Sequence, residues 1–595
     1  MDRKSIIIVV FCLGLLFGWN VLVNKLYPPK PLPPVTETNT VATAESLPLT
    51  NSTGTAATSN IAPATVHALA TNVVQAIETN APEQTLVLTN DNARYTFTSH
   101  GGGLKFVELI GVSTARERKK GKLPTLNAQA PDPAFAILDG SALEGNGIFH
   151  LTTTGTSVRA EKQLPNGLAI IKEFTPTSNY LVNVTVRLEN HSGAPLALPE
   201  QKWVIGTATP MSSEDKGMTE GVLWSNGDHH EDISSSWFAN RKFIFFSGTP
   251  RSEYREGQNN VAWAAAHNQF FTIIAIPKEP AHQVYIKPID LPAPSAEEVS
   301  TNSRVVKAPK GYEAALVYPA TTLTATQAVQ REIVLFAGPK EYKTLASIAA
   351  QVNQNVDVVM GYTGFFGFFS KMLLLGMNGL HSLLSLPYGW CIIAITVIIK
   401  LIFWPLTAAS TRSMKRMQAL QPQMKAISEK YKDDPVKKNQ KTMEFMKENK
   451  VNPLGGCLPM LLQMPIFFGF YTMIRSAIEL RGATFLWVPD LSVPDTLFMI
   501  PGINFPFNLL PIIMGVTMLW QAQMTPPSPG MDPAQQKIMR YMPLLFMVFL
   551  YNYSSGLALY WTVNNLLTVL QTKLTRTSMA VATPAPALTP SKKKR

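Results

Sequence analysis

The sequence predicts a multi-span α-helical membrane protein that carries a large all-β exported domain. Three observations lead there. Charged residues make up 15% of the 595-residue chain, against about 25% in an ordinary soluble domain. Mean hydropathy is slightly positive, at +0.06. The formal charge of +12 is concentrated: residues 411–452 and 573–595 carry +6 each, and the other stretches nearly balance. A nucleic-acid-binding domain would carry such an excess on a folded face. Short basic segments beside apolar runs instead follow the positive-inside pattern of membrane proteins. The three cysteines, Cys12, Cys391 and Cys457, lie in or beside apolar segments, with no metal-ligand spacing between them. The polar middle of the chain has none, so a disulfide framework is excluded there even if that region is exported.

The elements follow in order. Residues 6–23 form an apolar run behind Arg3 and Lys4, near the lower limit for crossing about 30 Å of hydrocarbon. The run ends in Val23-Asn24-Lys25-Leu26-Tyr27 and lacks the small residues a signal peptidase needs. Residues 1–27 therefore read as an uncleaved signal anchor. Residues 28–83 are rich in Pro, Thr, Ala, Ser and Asn, and cannot bury enough surface to offset their ordering entropy. They read as a flexible linker.

Short alternating runs begin next, at 85–90, 93–98, 168–174, 180–188, 242–247, 270–276, 283–289 and 314–318, separated by turn residues. This spacing predicts a β-sandwich domain over 84–345. The period turns helical from 340 to 359. Residues 346–387 read as a connecting helix and then, at 365–384, a helix lying in the outer membrane interface.

Residues 388–408 predict a span containing one charge, Lys400. The stretch 411–452 reads as a polar helical hairpin broken at Asp433-Asp434-Pro435. Further spans are expected at 455–475 and 505–524. Residues 541–570 are too long for one span, at about 45 Å as a helix, and Ser554-Ser555-Gly556 lies near their middle. Two spans, 540–553 and 555–573, with a tight outer turn fit better. Six spans then return the basic tail, 576–595, to the cytoplasm, as the positive-inside rule requires.

Two readings of Lys400 stand. A charge in mid-span costs about 2.5–3.5 kcal/mol on insertion scales and usually faces protein or water for a purpose. Alternatively its stem snorkels toward the cytoplasmic end of the span. In the hairpin, Met414, Met417, Leu420 and Met424 mark one face, and 20 of the 23 methionines follow residue 355. Methionine packs adaptably against varied apolar partners, although it is also an ordinary filler of spans. His100-Gly101-Gly102-Gly103 has no G-x-S-x-G partner motif and reads as a turn. His229-His230-Glu231-Asp232 lacks the H-E-x-x-H spacing and reads as a polar loop.

The run Val451-Asn452-Pro453-Leu454-Gly455-Gly456-Cys457-Leu458-Pro459, followed by Leu462-Gln463-Met464-Pro465-Ile466-Phe467, resembles the YidC membrane-insertase family, bacterial relatives of the mitochondrial Oxa insertase. Matching motifs precede it at Phe403-Trp404-Pro405-Leu406-Thr407 and Leu420-Gln421-Pro422. Others follow at Asp532-Pro533, Gln535-Gln536-Lys537-Ile538-Met539, Met542-Pro543 and Ser555-Gly556-Leu557-Ala558-Leu559-Tyr560-Trp561. They cover most of 388–575 in family order. The anchor and large exported domain resemble the Gram-negative form, with Gln269-Phe270-Phe271 and Gly338-Pro339-Lys340 as further points of likeness.

The resemblance implies a β-super-sandwich outside and a five-helix core enclosing a hydrophilic groove. It implies no covalent catalysis and no cofactor. The groove's positive charge, commonly arginine, matches Lys400, which keeps the charge without the planar fork. Thr396, Met464, Phe467, Tyr560 and Trp561 match substrate-contacting positions, with Gln463 grouped beside them. Trp561 stands where tyrosine is usual. The implied partners are nascent membrane proteins, the Sec translocon, the ribosome (through the hairpin and basic tail) and membrane lipids. The implied location is a bacterial inner membrane, both termini in the cytoplasm and 28–387 mainly periplasmic. Two alternatives remain at this stage: a small-solute transporter using Lys400, weakened by the absence of paired half-repeats, and a membrane-anchored carbohydrate-binding enzyme, weakened by the lack of a convincing pair of carboxylates.

Overall fold

In the exported half, strand after strand places apolar side chains on one face. In Leu181–Asn190, Val182, Val184, Val186 and Leu188 are buried, while Asn183 and Arg187 are exposed, the two-residue period of a sheet with one wet face. Central strands are buried on both faces, as in Phe271–Pro277. The computed structural model describes residues 82–575, apart from 115–116, 118–120, 214, 216, 244–245, 302–304, 433, 450–457, 502–504 and 525–532. The expected signal anchor, all but the end of the linker, the basic tail and the motif at 451–457 lie outside the described residues. All described residues fall in one compact unit.

A nine-stranded antiparallel sheet dominates this half. Its order is His230–Ser234, Gly221–Ser225, Trp263–His267, Phe271–Pro277, Ala328–Pro339, Leu181–Asn190, Leu168–Pro176, Ser157–Gln163 and His150–Thr154. A five-stranded sheet lays Gln201–Ala208 against Trp263–His267 and Phe271–Pro277. A bulge between Val204 and Gly206 bends that strand. Gly206 has φ of +148°, and a Cβ there would stand 2.9 Å from Ile273, so glycine lets the layers close. A four-stranded sheet, Thr85–Thr89, Ala93–Thr98, Gly103–Leu109 and Thr125–Leu126, completes the half. The region expected as one strand at 242–247 is a small hairpin, Arg241–Phe243 with Phe246–Ser247.

Chain direction changes at Pro339. Helix α1 (Tyr342–Val352) buries Leu345 and Ile348, and a 3-10 turn, Val356–Met360, follows. Asn355 fastens the turn by accepting from Trp263 Nε1 at 2.9 Å. Helix α2 (Gly364–Leu384) buries Ser370, Leu373, Leu374 and Met377 and exposes Phe368, Met372 and Leu375. It meets helix α3 (Tyr388–Ile402) at a bend of 117°, where Ser385 takes φ of +52° and Pro387 caps the new helix.

Next come α4 (Trp404–Lys430), α5 (Pro435–Glu448), α6 (Leu458–Ser476), α7 (Leu509–Met524), α8 (Pro533–Leu550) and α9 (Ser555–Leu574). Asp434 caps α5, its carboxylate accepting from the Lys437 amide at 3.0 Å. Two expectations need correction. The span expected at 388–408 stops at Ile402 and restarts as α4, because Pro405 has no amide proton and its ring opposes the carbonyl one turn earlier. The span expected at 505–524 opens as a strand, Phe505–Asn508, paired with Thr496–Ile500, and only then becomes helical. Among the described residues no single helix is long and apolar enough to cross a membrane by itself. Prolines and buried polar residues interrupt the apolar runs.

The two halves are tied together. Arg481, beyond α6, pairs with Glu117 and donates to the Val112 carbonyl at 3.2 Å. Within the helical half, Asn378 on α2 donates to Glu479 beyond α6 at 2.8 Å.

Candidate functional site

Helix α9 has the pattern that builds the site. Thr562, Asn564, Asn565 and Gln571 are buried, although they lie on a helix expected among lipid tails. A buried polar group without a partner is costly, and here the partners are nearby. The Thr562, Thr568 and Thr572 hydroxyls donate to carbonyls one turn back, at 2.7, 2.7 and 2.8 Å, as threonine does inside helices. Asn565 donates to Thr517 on α7 at 3.2 Å. Gln571 donates to Thr407 and to the Trp404 carbonyl on α4.

Lys400 enters this polar seam from α3. Its Nζ donates to Thr568 Oγ1 at 2.9 Å. That partner is neutral, and among the described residues no carboxylate forms an ion pair with Lys400. Thr396 lies one turn earlier on the same face of α3. It is buried and donates to its own helix, to the Ile392 carbonyl at 2.6 Å. A second cation stands further along: Lys415 on α4 donates to the Thr572 and Thr575 carbonyls at 2.9 and 2.8 Å. It neutralises the end of α9, where carbonyls lack helical partners and the helix dipole is negative.

The remaining expected residues form an aromatic cluster toward the other end of α9. Gln463 on α6 donates to the Tyr560 hydroxyl, and the Tyr560 ring stacks on Phe470 with centroids 4.0 Å apart. Phe467 meets Trp561 edge-on at 4.6 Å, and Phe546 of α8 closes on Trp561 at 4.9 Å. Met464 is half-buried on α6. Tyr560 and Thr568 are eight residues apart, about 12 Å along the helix. The expected residues therefore form two groups, an aromatic one around Tyr560 and Trp561 and a cationic one around Lys400, joined by the polar face of α9. Trp561 Nε1 is buried with no hydrogen-bond partner among the described residues.

Reading the sequence missed Thr568, Gln571, Asn564, Asn565, Thr517 and Lys415. The signal for most of them was present: polar residues recur every three or four positions through 562–572, the spacing of one helix face.

The other motifs have ordinary places. His100-Gly101-Gly102-Gly103 connects two strands, and the Gly101 carbonyl accepts from buried Lys172 at 2.7 Å. His229 and His230 stack with ring centroids 6.4 Å apart. Among the described residues no group of three or more His, Cys, Asp or Glu could hold a metal.

Residues 379–582 match the family model of the 60Kd inner membrane protein, and 144–375 match that of the YidC periplasmic domain. The chain is 32% identical to the membrane protein insertase YidC of Cupriavidus taiwanensis over 504 residues, covering 82% of this chain and 81% of that one. The chain belongs to the YidC family of membrane protein insertases. It is also 30% identical to the YidC of Syntrophus aciditrophicus over 593 residues, covering 96% and 98% of the two chains. A crystal structure of an active YidC insertase with its first transmembrane domain resolved aligns with 84% of this chain and 95% of that one, at 19% identity and a TM-score of 0.36. YidC insertases are inner membrane proteins with a periplasmic domain and a helical insertase region. They are not enzymes, which removes the carbohydrate-enzyme alternative, and insertion rather than solute transport is the family's activity.

Proposed function

We propose that clients of this insertase enter along the polar seam of α9, with Lys400 as its working charge. The observation that carries this reading is the ammonium without a counter-ion: among the described residues, Lys400 meets a neutral hydroxyl, Thr568, and no carboxylate. A cation held this way in a poorly hydrated cavity attracts an acidic residue far more strongly than it would in water. A short polar segment of a nascent chain could leave the cytoplasm for the seam, while its apolar helix slides along the aromatic edge formed by Phe467, Phe546 and Trp561. A seam of polar side chains partway through the bilayer shortens the hydrocarbon path for the polar segment. Thr396, Gln463, Met464 and Tyr560 shape the wall.

The topology proposed with it has six spans: the N-terminal anchor, α3, α6, α7, α8 and α9. Helix α2, bent 117° from α3 and apolar on its exposed side, lies along the periplasmic interface. Both termini and the basic hairpin of α4 and α5 are cytoplasmic. There the hairpin receives clients, and the tail offers positive charge to ribosomal RNA. The Sec translocon is the proposed partner for larger clients.

Site-specific photocrosslinking to a stalled nascent chain tests the seam. Probes at Lys400, Thr568 and Phe467 should capture the client, and a probe at exposed Val516 on α7 should not. Equal capture from all four positions would remove the seam as the route.

A further inference from the structure

A cavity of about 430 Å³ lies between the periplasmic domain and the end of α6, lined among others by His267, Asp232, Lys340, Thr363, Thr472 and Arg475. Its charge is unbalanced. Lys340 is 5% exposed, and its Nζ bonds the Asn268 carbonyl at 3.1 Å, a neutral acceptor. Arg475 donates to the Tyr471 hydroxyl at 2.9 Å and lies over the same ring. Among the described lining residues, two positive charges therefore face one carboxylate, Asp232, which already holds His267 Nε2 at 3.2 Å. The other ring nitrogen, His267 Nδ1, is buried with no hydrogen-bond partner among the described residues.

Such a cavity selects an anion. A buried cation short of counter-charge, as Lys340 is beside half-buried Arg475, is costly, and charge-assisted bonds to phosphate oxygens are among the strongest available to lysine and arginine. Burial lowers the Lys340 ammonium from its ordinary 10.5 to about 8, so it keeps its proton at neutral pH and gains from an anion beside it.

The position of the cavity indicates which anion. Thr363 is the cap of α2, and Arg475 and Ser476 end α6. One and two turns along α2, Phe368 and Met372 are 60% and 57% exposed. A cavity with a largely apolar lining and two positive charges thus lies at the start of a helix whose exposed face is apolar and which is placed above along the periplasmic interface. We infer that this cavity binds the headgroup of an anionic glycerophospholipid of the periplasmic leaflet, its phosphate between Lys340 and Arg475 and its acyl chains along α2. The site rests on the membrane placement of α2 and α6 proposed above. It is separate from the Lys400 seam and anchors the periplasmic domain to the bilayer surface.

The test uses the full chain in nanodiscs of phosphatidylcholine and phosphatidylglycerol in equal parts. After extraction in mild detergent, retained lipid is counted by native mass spectrometry, and insertion activity is measured in parallel. The wild-type chain should retain one phosphatidylglycerol in preference to phosphatidylcholine. Lys340→Gln combined with Arg475→Gln should lower that retention at least about tenfold, and Lys340→Arg should preserve it. Thr472→Trp, which fills the cavity and leaves every charge, should also lower it, and it decides the matter if the double variant does not fold. Equal retention of both lipids by the wild type, or unchanged retention in the variants, overturns the site. Displacement of the lipid by millimolar inorganic phosphate, with phosphate itself bound, overturns the lipid assignment in favour of a small anion. Lipid retention is read independently of insertion, so a failed seam mechanism with intact lipid binding leaves this site standing.

Discussion

Each half of the molecule contains a lysine out of bulk water, and the two are treated differently. In the periplasmic domain, Lys172 is fully buried and its Nζ is saturated: it donates to the Gly101 carbonyl at 2.7 Å, the Phe135 carbonyl at 2.9 Å and the Glu144 carboxylate at 3.0 Å. It joins the nine-stranded sheet to the loop at 100–103 and has no capacity left for another ligand. In the helical half, Lys400 has one neutral partner and no counter-ion among the described residues. A charge with every donor site filled is a structural tie. A charge left short of partners in a polar seam retains free energy of interaction for something that arrives later. The contrast fits Lys172 as a structural tie of the periplasmic domain and Lys400 as the working charge proposed for the seam.

The largest expected effect tests that contrast at Lys400. Lys400→Glu should reduce insertion of clients with acidic translocated tails by more than about tenfold, since attraction becomes repulsion in a medium of low dielectric. Lys400→Arg should stay active. Lys400→Ala should impair acidic-tail clients and spare those with short uncharged tails. Parallel insertion assays on the two client types check this, and wild-type insertion of both by Lys400→Ala would leave only the snorkelling reading.

Lys172→Met should act on stability instead. It strands Glu144, whose carboxyl burial already pushes up and which Lys172 holds back. Breaking one side of a buried pair costs about 3–5 kcal/mol. Hydrogen exchange in the strands around Lys172, in the full chain, should rise sharply while insertion largely persists. Loss of insertion with an intact fold would mean that the periplasmic domain takes part in the activity.

A smaller effect concerns Glu220, which is 1% exposed with neither carboxylate oxygen hydrogen-bonded among the described residues. Burial, with the Asp215 carboxylate adding to it, raises its pKa from 4.5 to about 9. The folded state then binds more protons than the unfolded state between those values, so stability falls as pH rises through that window. Glu220→Gln should remove the slope and stabilise the domain at pH 8 by at least about 1 kcal/mol, with little change near pH 4. A pH series of thermal melts checks the sign, and an unchanged slope would place the titration elsewhere.

The smallest effect is expected at Thr568. Thr568→Val removes the hydrogen bond that Lys400 makes among the described residues but leaves the charge, so acidic-tail insertion should fall by no more than about threefold. Thr568→Ser should be neutral. A loss as large as that of Lys400→Glu would make the hydroxyl, rather than the charge, the working group.

Much of the molecule is legible in its sequence. Alternation in 181–190 and 283–289 gave strands because a sheet with one wet face leaves a two-residue period. The polar hairpin was legible because Asp434 and Pro435 form a helix start. The spans were harder. Tyr388 to Leu406 reads as one apolar run, and the break comes from Pro405, whose effect falls a turn upstream of the residue itself. Phe505–Asn508 reads as the start of a span, and it is a strand because Thr496–Ile500 lies within reach to pair with it.

The sequence by itself determined the two-part architecture, the family and the single charge in its apolar run, because hydropathy, period and charge placement are local properties. Only the tertiary structure decided what each charge does. Whether a lysine is saturated or spare depends on partners 28, 71 or 168 residues away. The Lys340–Arg475 cavity likewise joins residues 135 positions apart, from a strand end and a helix end. Electrostatic energy depends on distance in space and on exclusion of water, and the order of residues along the chain encodes neither.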